Sequence, residues 1–147
     1  MQDTDLAWLA GIWDGEGSIT LFTHKEADNS TKICPTVLVV NTDIHIINKI
    51  QKLLEDLKCN FVIHEHKPKN KKHKIQWRIT TRNIRYIQKF LVPILPYLVG
   101  DKKAKGEIVL RYANRRIAKQ ESSGRYNPPY DQEDFDDLKE MQDTIRS

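Results

Sequence analysis

Ala7, Gly11 and Gly15 stand four residues apart near the start of this chain, and no other feature restricts its fold as sharply. Asp3-Thr4-Asp5 supplies N-cap candidates for a helix from about Leu6 to Trp13. The helix is expected to exit through Asp14-Gly15-Glu16-Gly17, where two glycines give the φ freedom that an exit uses. Spaced by four, the three small residues line one stripe of the helix, and a stripe without bulk lets a second backbone approach closely. Two glycines in so short a helix cost about 1 kcal/mol each relative to alanine, so close packing is the reading that accounts for them. Leu6, Leu9, Ile12 and Trp13 lie off the stripe and are expected to feed the core of the subunit.

Asp14 and Glu16 add a chemical constraint. Carboxylates at a helix C-terminus face the negative end of the macrodipole, an unfavourable placement. Two of them stand here beside glycine carbonyls, an oxygen-rich, negatively charged setting that suits a hard divalent cation. A surface turn rich in Asp and Gly is the plainer alternative. If the small-residue stripe is the seam of a two-fold dimer, each carboxylate gains a symmetry mate, and two metal sites at one axis could act on the two strands of a symmetric substrate.

Beyond this helix the sequence predicts strands at Ser18–Thr23 and Pro35–Asn41, separated by a polar loop from Lys25 to Thr31. Asp43 caps a periodic helix with Ile44, Ile47, Ile50, Leu54 and Leu57 on one side. Phe61–His66 and Lys74–Thr81 form a hairpin, and Lys74, Gln76, Arg78 and Thr80 share one face of its second strand. A short helix from Asn83 to about Leu91 is closed by Pro93 and Pro96, and Asp101 can cap a longer one to about Gln120, with Ile108, Val109, Tyr112 and Ile117 as core candidates. The result is an α+β layout on one antiparallel four-stranded sheet. It divides into a domain over residues 1–124, then a linker and an acidic C-terminal helix over 125–147; there is no internal repeat.

The net charge of +4 conceals a separation. Asp131 to Ser147 carries seven acids against Lys139 and Arg146, which leaves 22 basic and 13 acidic residues in 1–130. From His66 to Gly100 there are nine Lys or Arg and no acid. Such clustering favours a polyanionic partner, nucleic acid first, over a merely solvated basic surface. The acidic tail either shields that basic face or caps the core. Cys34 and Cys59 lack CxxC spacing and read as reduced core thiols. With no signal-like or membrane-spanning run, a soluble intracellular protein is expected, in cytoplasm or an organelle matrix.

Leu9-Ala10-Gly11-Ile12-Trp13-Asp14-Gly15-Glu16-Gly17, continuing into Ser18-Ile19, resembles the LAGLIDADG motif of homing endonucleases. The spacing of Leu, Ala, Gly, acid, Gly, acid and Gly is intact, with Trp13 and Glu16 as permitted variants. The predicted order matches that family's αββαββα core over roughly residues 5–120, with a saddle-shaped sheet and extra C-terminal helices here. One motif copy and this length imply the homodimeric class, with Ala7, Gly11 and Gly15 at the interface. The implied activity is site-specific cutting of both strands of duplex DNA in intron or intein homing, across a long pseudo-palindromic site. Mg²⁺ is the implied cofactor, with Ca²⁺ or Mn²⁺ able to replace it in binding, and no small-molecule cofactor is implied.

The resemblance assigns metal binding to Glu16, with a backbone carbonyl from Gly15 and Asp14 as a weaker ligand that serves the helix terminus. The cation would activate a water and stabilise charge at the phosphorus and leaving oxygen. A polar residue at the end of the second strand orders the hydrolytic water in such proteins; Asn41-Thr42-Asp43 lies there, and Asn41 is favoured. A lysine before the long third helix stabilises the scissile phosphate, which favours Lys102 over Lys103. For DNA reading, the polar face bearing Lys74, Gln76 and Arg78 suits the major groove, and Thr20, Phe22 and His24 are expected on the same surface. Lys67, Lys69, Lys71 and Lys72 in the hairpin tip would neutralise phosphates. His64, His66 and His73 lack metal-ligand spacing and read as DNA contacts or plain exposure. Three alternatives stay open: an RNA maturase that aids splicing, a non-catalytic DNA-binding regulator of the same fold, and a generic basic adaptor.

Overall fold

The computed structural model describes residues 1–146. Helix α1 runs Asp3–Glu16, followed by strands β1 (Gly17–Lys25) and β2 (Thr31–Asn41). Helix α2 (Ile44–Asp56) leads to β3 (Val62–His66) and β4 (Gln76–Thr81). Helix α3 (Ile84–Ile94) passes through a 3₁₀ turn at Leu95–Tyr97 into the long α4 (Asp101–Ser123), and α5 (Gln132–Arg146) closes the described chain.

The strands form one antiparallel sheet in the order β1-β2-β4-β3. Register explains its two faces. Thr20 pairs with Thr36, Leu38 with Thr80, and Val62 with Thr80, so even-numbered residues of every strand share a face. The odd-numbered face carries Ile19, Leu21, Ile33, Val37, Val39 and Ile79, all buried against the helices. Trp13 and Phe90 meet there with ring centroids 4.6 Å apart. A Cβ on Gly17 would collide with the Trp13 ring, so the α1–β1 junction closes only over glycine.

Several boundaries differ from the sequence expectation. Helix α1 holds Asp14, Gly15 and Glu16 inside its last turn, and its exit at Gly17 is extended, φ −87°; close packing rather than φ freedom selects that glycine. Its N-cap is Gln2, with Asp3 and Asp5 in the first turn, where their charge favours the dipole. Lys74 lies before β4 rather than in it. Pro93 sits inside α3, which runs to Ile94 before Pro96 enters the 3₁₀ turn; it has no N–H to give the carbonyl four residues earlier, and the helix ends one residue later. Gly100, not Asp101, is the N-cap of α4, and Asp101 instead pairs with Lys105 at 3.2 Å. Only Cys59 is a buried thiol, pushed up to about 11 by burial, while Cys34 is half-buried on the outward face of β2. Asp43 caps α2 through its side chain, as expected, and Asn83 does the same for α3.

The acidic tail packs on α4 and β1. Asp131 and Asp134 bond each other's backbone N–H reciprocally at 3.0 Å, a capping box at the start of α5. Asp134 and Asp137, both buried, meet Arg115, and Arg116 adds to Asp134 and Arg111 to Asp137. Leu138 and Met141 join the core cluster. Among the described residues, no helix is long and apolar enough to cross a membrane.

Candidate active site and nucleic-acid interface

The end of α1 is held by residues far away in sequence. The Asp14 carboxylate accepts hydrogen bonds from the backbone N–H groups of Val99, at 2.9 Å, and Gly100, at 3.2 Å. It therefore faces the N-terminus of α4, where the positive end of that helix favours an anion, and this offsets its unfavourable place on α1. Lys102 Nζ donates to the Asp14 carbonyl oxygen at 2.7 Å, so a cation meets the last carbonyls of α1. Lys102 is half-buried there, whereas Lys103 is exposed.

Glu16 is exposed, and its carboxylate accepts a hydrogen bond from the Asn41 side-chain amide. The other end of that amide, Asn41 Oδ1, accepts from the Asp43 backbone N–H at 2.7 Å, and Asp43 caps α2 through the His45 N–H at 2.9 Å. The chain from the α2 cap to Asn41 to Glu16 fixes the carboxylate at the point where α1, β1 and β2 meet. Asn41, Glu16 and Lys102 are thus gathered around the last turn of α1. Gly15 is exposed beside them, and nothing lies within 4 Å of where a Cβ on it would be. Ala7 and Gly11 share its exposure, and Gly11 too faces open space.

On the outward face of the sheet, register brings Thr20, Phe22 and His24 of β1 together with Gln76 and Arg78 of β4. The same register adds Lys32, Leu38 and Val40 from β2 and His64 and His66 from β3. Sequence reasoning missed the β2 contribution because Val37-Leu38-Val39-Val40 reads as one buried run; alternation with β1 was the signal that separates its faces. Arg82 was also missed, and its guanidinium lies 5.3 Å from the Phe22 ring centroid. Lys67, Lys69, Lys71, Lys72 and Lys74 are exposed in the segment between β3 and β4. That segment leaves the sheet at its Asn41 end, since Asn41 pairs with Trp77.

A helix ending in two acids, on a four-stranded sheet with exposed lysines in the segment between β3 and β4, defines a recognisable class. Residues 3–94 match the model of the LAGLIDADG-like domain, and the chain belongs to the LAGLIDADG family of homing endonucleases. Solved structures share the fold. The homing endonuclease I-CvuI in complex with the I-CreI target is 20% identical, with a TM-score of 0.60 over 95% of this chain and 96% of that one. I-GzeII in complex with DNA is 17% identical with a TM-score of 0.64, and this chain covers 43% of it. I-CeuI complexed with DNA is 18% identical at a TM-score of 0.62, over 82% of this chain and 59% of that one. A search of curated protein sequences found no match.

Proposed function

We propose that two copies of this chain form a site-specific endonuclease that cuts both strands of duplex DNA with Mg²⁺. The observation that carries this reading is the convergence of Glu16, Asn41 and Lys102 at the last turn of α1, at one end of a sheet whose outer face bears Arg78, Gln76, His64 and His66. I-CvuI was solved with its DNA target in 2 mM Ca, and with the I-CreI target in 2 mM Mg with the DNA not cleaved, which supports DNA as the substrate class here.

The donor set fits a hard cation. Glu16 and the Gly15 carbonyl offer exposed oxygens, and Mg²⁺ is commonly held by one or two carboxylates completed by substrate phosphate and water. Among the described residues no group of three or more His, Cys, Asp or Glu could hold a metal, so a site here draws further oxygens from the DNA and from a second copy. When bound, the cation supplies a nucleophile at neutral pH and stabilises charge on the phosphate. Glu16 binds it, and Asn41 positions the Glu16 carboxylate. Lys102 stabilises charge that develops on the scissile phosphate. Asp14, engaged by the Val99 and Gly100 amides, joins α1 to α4 rather than donating to the metal. The open stripe of Ala7, Gly11 and Gly15 is the seam between copies, and the lysines from Lys67 to Lys74 neutralise backbone phosphates.

The test is cleavage of a randomised duplex library by purified protein, with Mg²⁺ and with chelator. Cutting at discrete sites with two related half-sites, only with metal, supports the reading. Tight binding without cutting overturns it in favour of a regulator, with RNA the next substrate for a maturase assay.

A further inference from the structure

On the outward face, the row Leu38–Thr80–Val62 runs across β2, β4 and β3. Val62 is 54% exposed, and among the described residues neither Leu38 nor Val62 belongs to the core cluster or packs against it. The Thr80 hydroxyl between them donates to the Val37 carbonyl at 3.2 Å, so its polar atom is engaged by the sheet. Leu38 and Val62 are the two aliphatic side chains of a concavity of about 630 Å³ whose other walls are polar, with Asn60, His64, Arg78 and Arg82 among them. Thr36 is 5% exposed, yet its hydroxyl has no hydrogen-bond partner, an uncommon condition for a buried polar atom. No carboxylate is among the described residues that line this space.

Two aliphatic side chains beside two arginines suit an anionic partner that carries an apolar group at its reading edge. A protein partner could meet Arg78 and Arg82 with carboxylates, but the partner that the proposed function brings to this face is duplex DNA. It supplies both the charge and the apolar group. In the major groove, thymine alone presents a methyl group, with its O4 acceptor alongside. Cytosine or adenine at that position would press an amino donor against Leu38 and Val62, and burying an unpaired donor is costly.

We infer that the Leu38–Thr80–Val62 row reads the methyl group of one thymine in each half-site. The inference rests on the DNA-cleaving reading above and deepens it. Leu38 and Val62 become specificity-determining residues, whereas Arg78 and Arg82 at the rim serve neighbouring guanines or phosphates.

The test begins from the site recovered in the library. Each thymine of a half-site is replaced singly by deoxyuridine, which removes only the methyl, and Kd is measured by competition in Ca²⁺. One position is expected to lose about fourfold in affinity, the worth of one buried methyl, and 5-methylcytosine there should bind better than cytosine. In Leu38→Asn overall affinity should fall and the thymine-to-deoxyuridine ratio at that position should drop to about one, while the ratios at the other thymines keep their parental values. Should Leu38→Asn fail to fold, the more exposed Val62→Asn gives the same reading. Specific cutting with no deoxyuridine-sensitive thymine, or sensitivity that persists in both variants, overturns this inference and leaves the endonuclease reading standing. Absence of any sequence-specific DNA binding overturns both.

Discussion

Replacing Asp134 by alanine should be among the most damaging single changes outside the apolar core. Its side chain is fully buried. One carboxylate oxygen accepts from Arg115 Nε at 3.0 Å, and the other from the Asp131 N–H at 3.0 Å and Arg116 Nη1 at 3.3 Å. Arg116 is itself 6% exposed, and it would keep only the Pro128 and Pro129 carbonyls, at 2.6 and 3.2 Å, and the Tyr130 ring. Removing one partner of a buried ion pair leaves an uncompensated charge and costs about 3–5 kcal/mol, against a total stability on the order of 5–15 kcal/mol. For a domain of this size that corresponds to a Tm lowered by roughly 6–20 °C. The control is Glu140→Ala, whose side chain is 54% exposed, and for which a surface pair predicts a loss below about 1 kcal/mol. Urea unfolding of both variants gives the comparison. If Asp134→Ala loses no more stability than Glu140→Ala, the account of α5 as a buried electrostatic clamp is wrong. Replacing Asp134 and Arg116 together by apolar residues of similar size should recover much of the loss.

Gly11→Leu should melt like the parent as a monomer, since nothing lies within 4 Å of a Cβ there, yet it should fail to self-associate and to cut DNA. A dimer seen by sedimentation would remove the stripe from the interface. Gly17→Ala should instead destabilise the monomer by about 1–3 kcal/mol through overpacking on Trp13; an unchanged denaturation midpoint would contradict the packing. The hydrogen bond from Lys119 holds the Asp131 carboxyl below its usual range. Because the folded-state value is depressed, that stabilisation is present above the ordinary carboxylate value near pH ~4 and is lost as pH falls through the folded value. Hydrogen exchange should therefore show α5 loosening only under acid; loosening already at neutral pH would refute it. Neutralising Lys69 and Lys71 should weaken DNA binding at all sequences alike and reduce the salt slope by about one per lysine, whereas a changed base preference would place them at base edges.

The strands were legible because polar and apolar residues alternate along β1 and β4, and register then follows from which face is buried. Helix α2 was legible through its period and its Asp43 cap, and α3 as a short helix before two prolines, the first of which lies inside it. What sequence reading misjudged depends on distant groups. Asp14 was placed in an exit loop, but Val99, Gly100 and Lys102 hold it inside the helix, 85 to 88 residues away. Gly100 took the cap expected of Asp101, whose carboxylate turned to Lys105. The acids of the tail were legible as a charge block, yet their buried partners Arg115 and Arg116 look in sequence like any basic helix. Glu16, Asn41 and Lys102 could be named from motif and position alone; that Asn41 bonds Glu16 directly is visible only in the fold.

The central claim is that Glu16 cuts DNA rather than merely ending a helix. The direct measurement is single-turnover cleavage of the library-selected site in Mg²⁺ by the parent and by Glu16→Gln, with binding of both measured in Ca²⁺. The account predicts binding retained within a few-fold and cleavage lost in the variant. Cleavage by Glu16→Gln at the parental rate would contradict it, and the chemistry would then have to be sought elsewhere on the molecule.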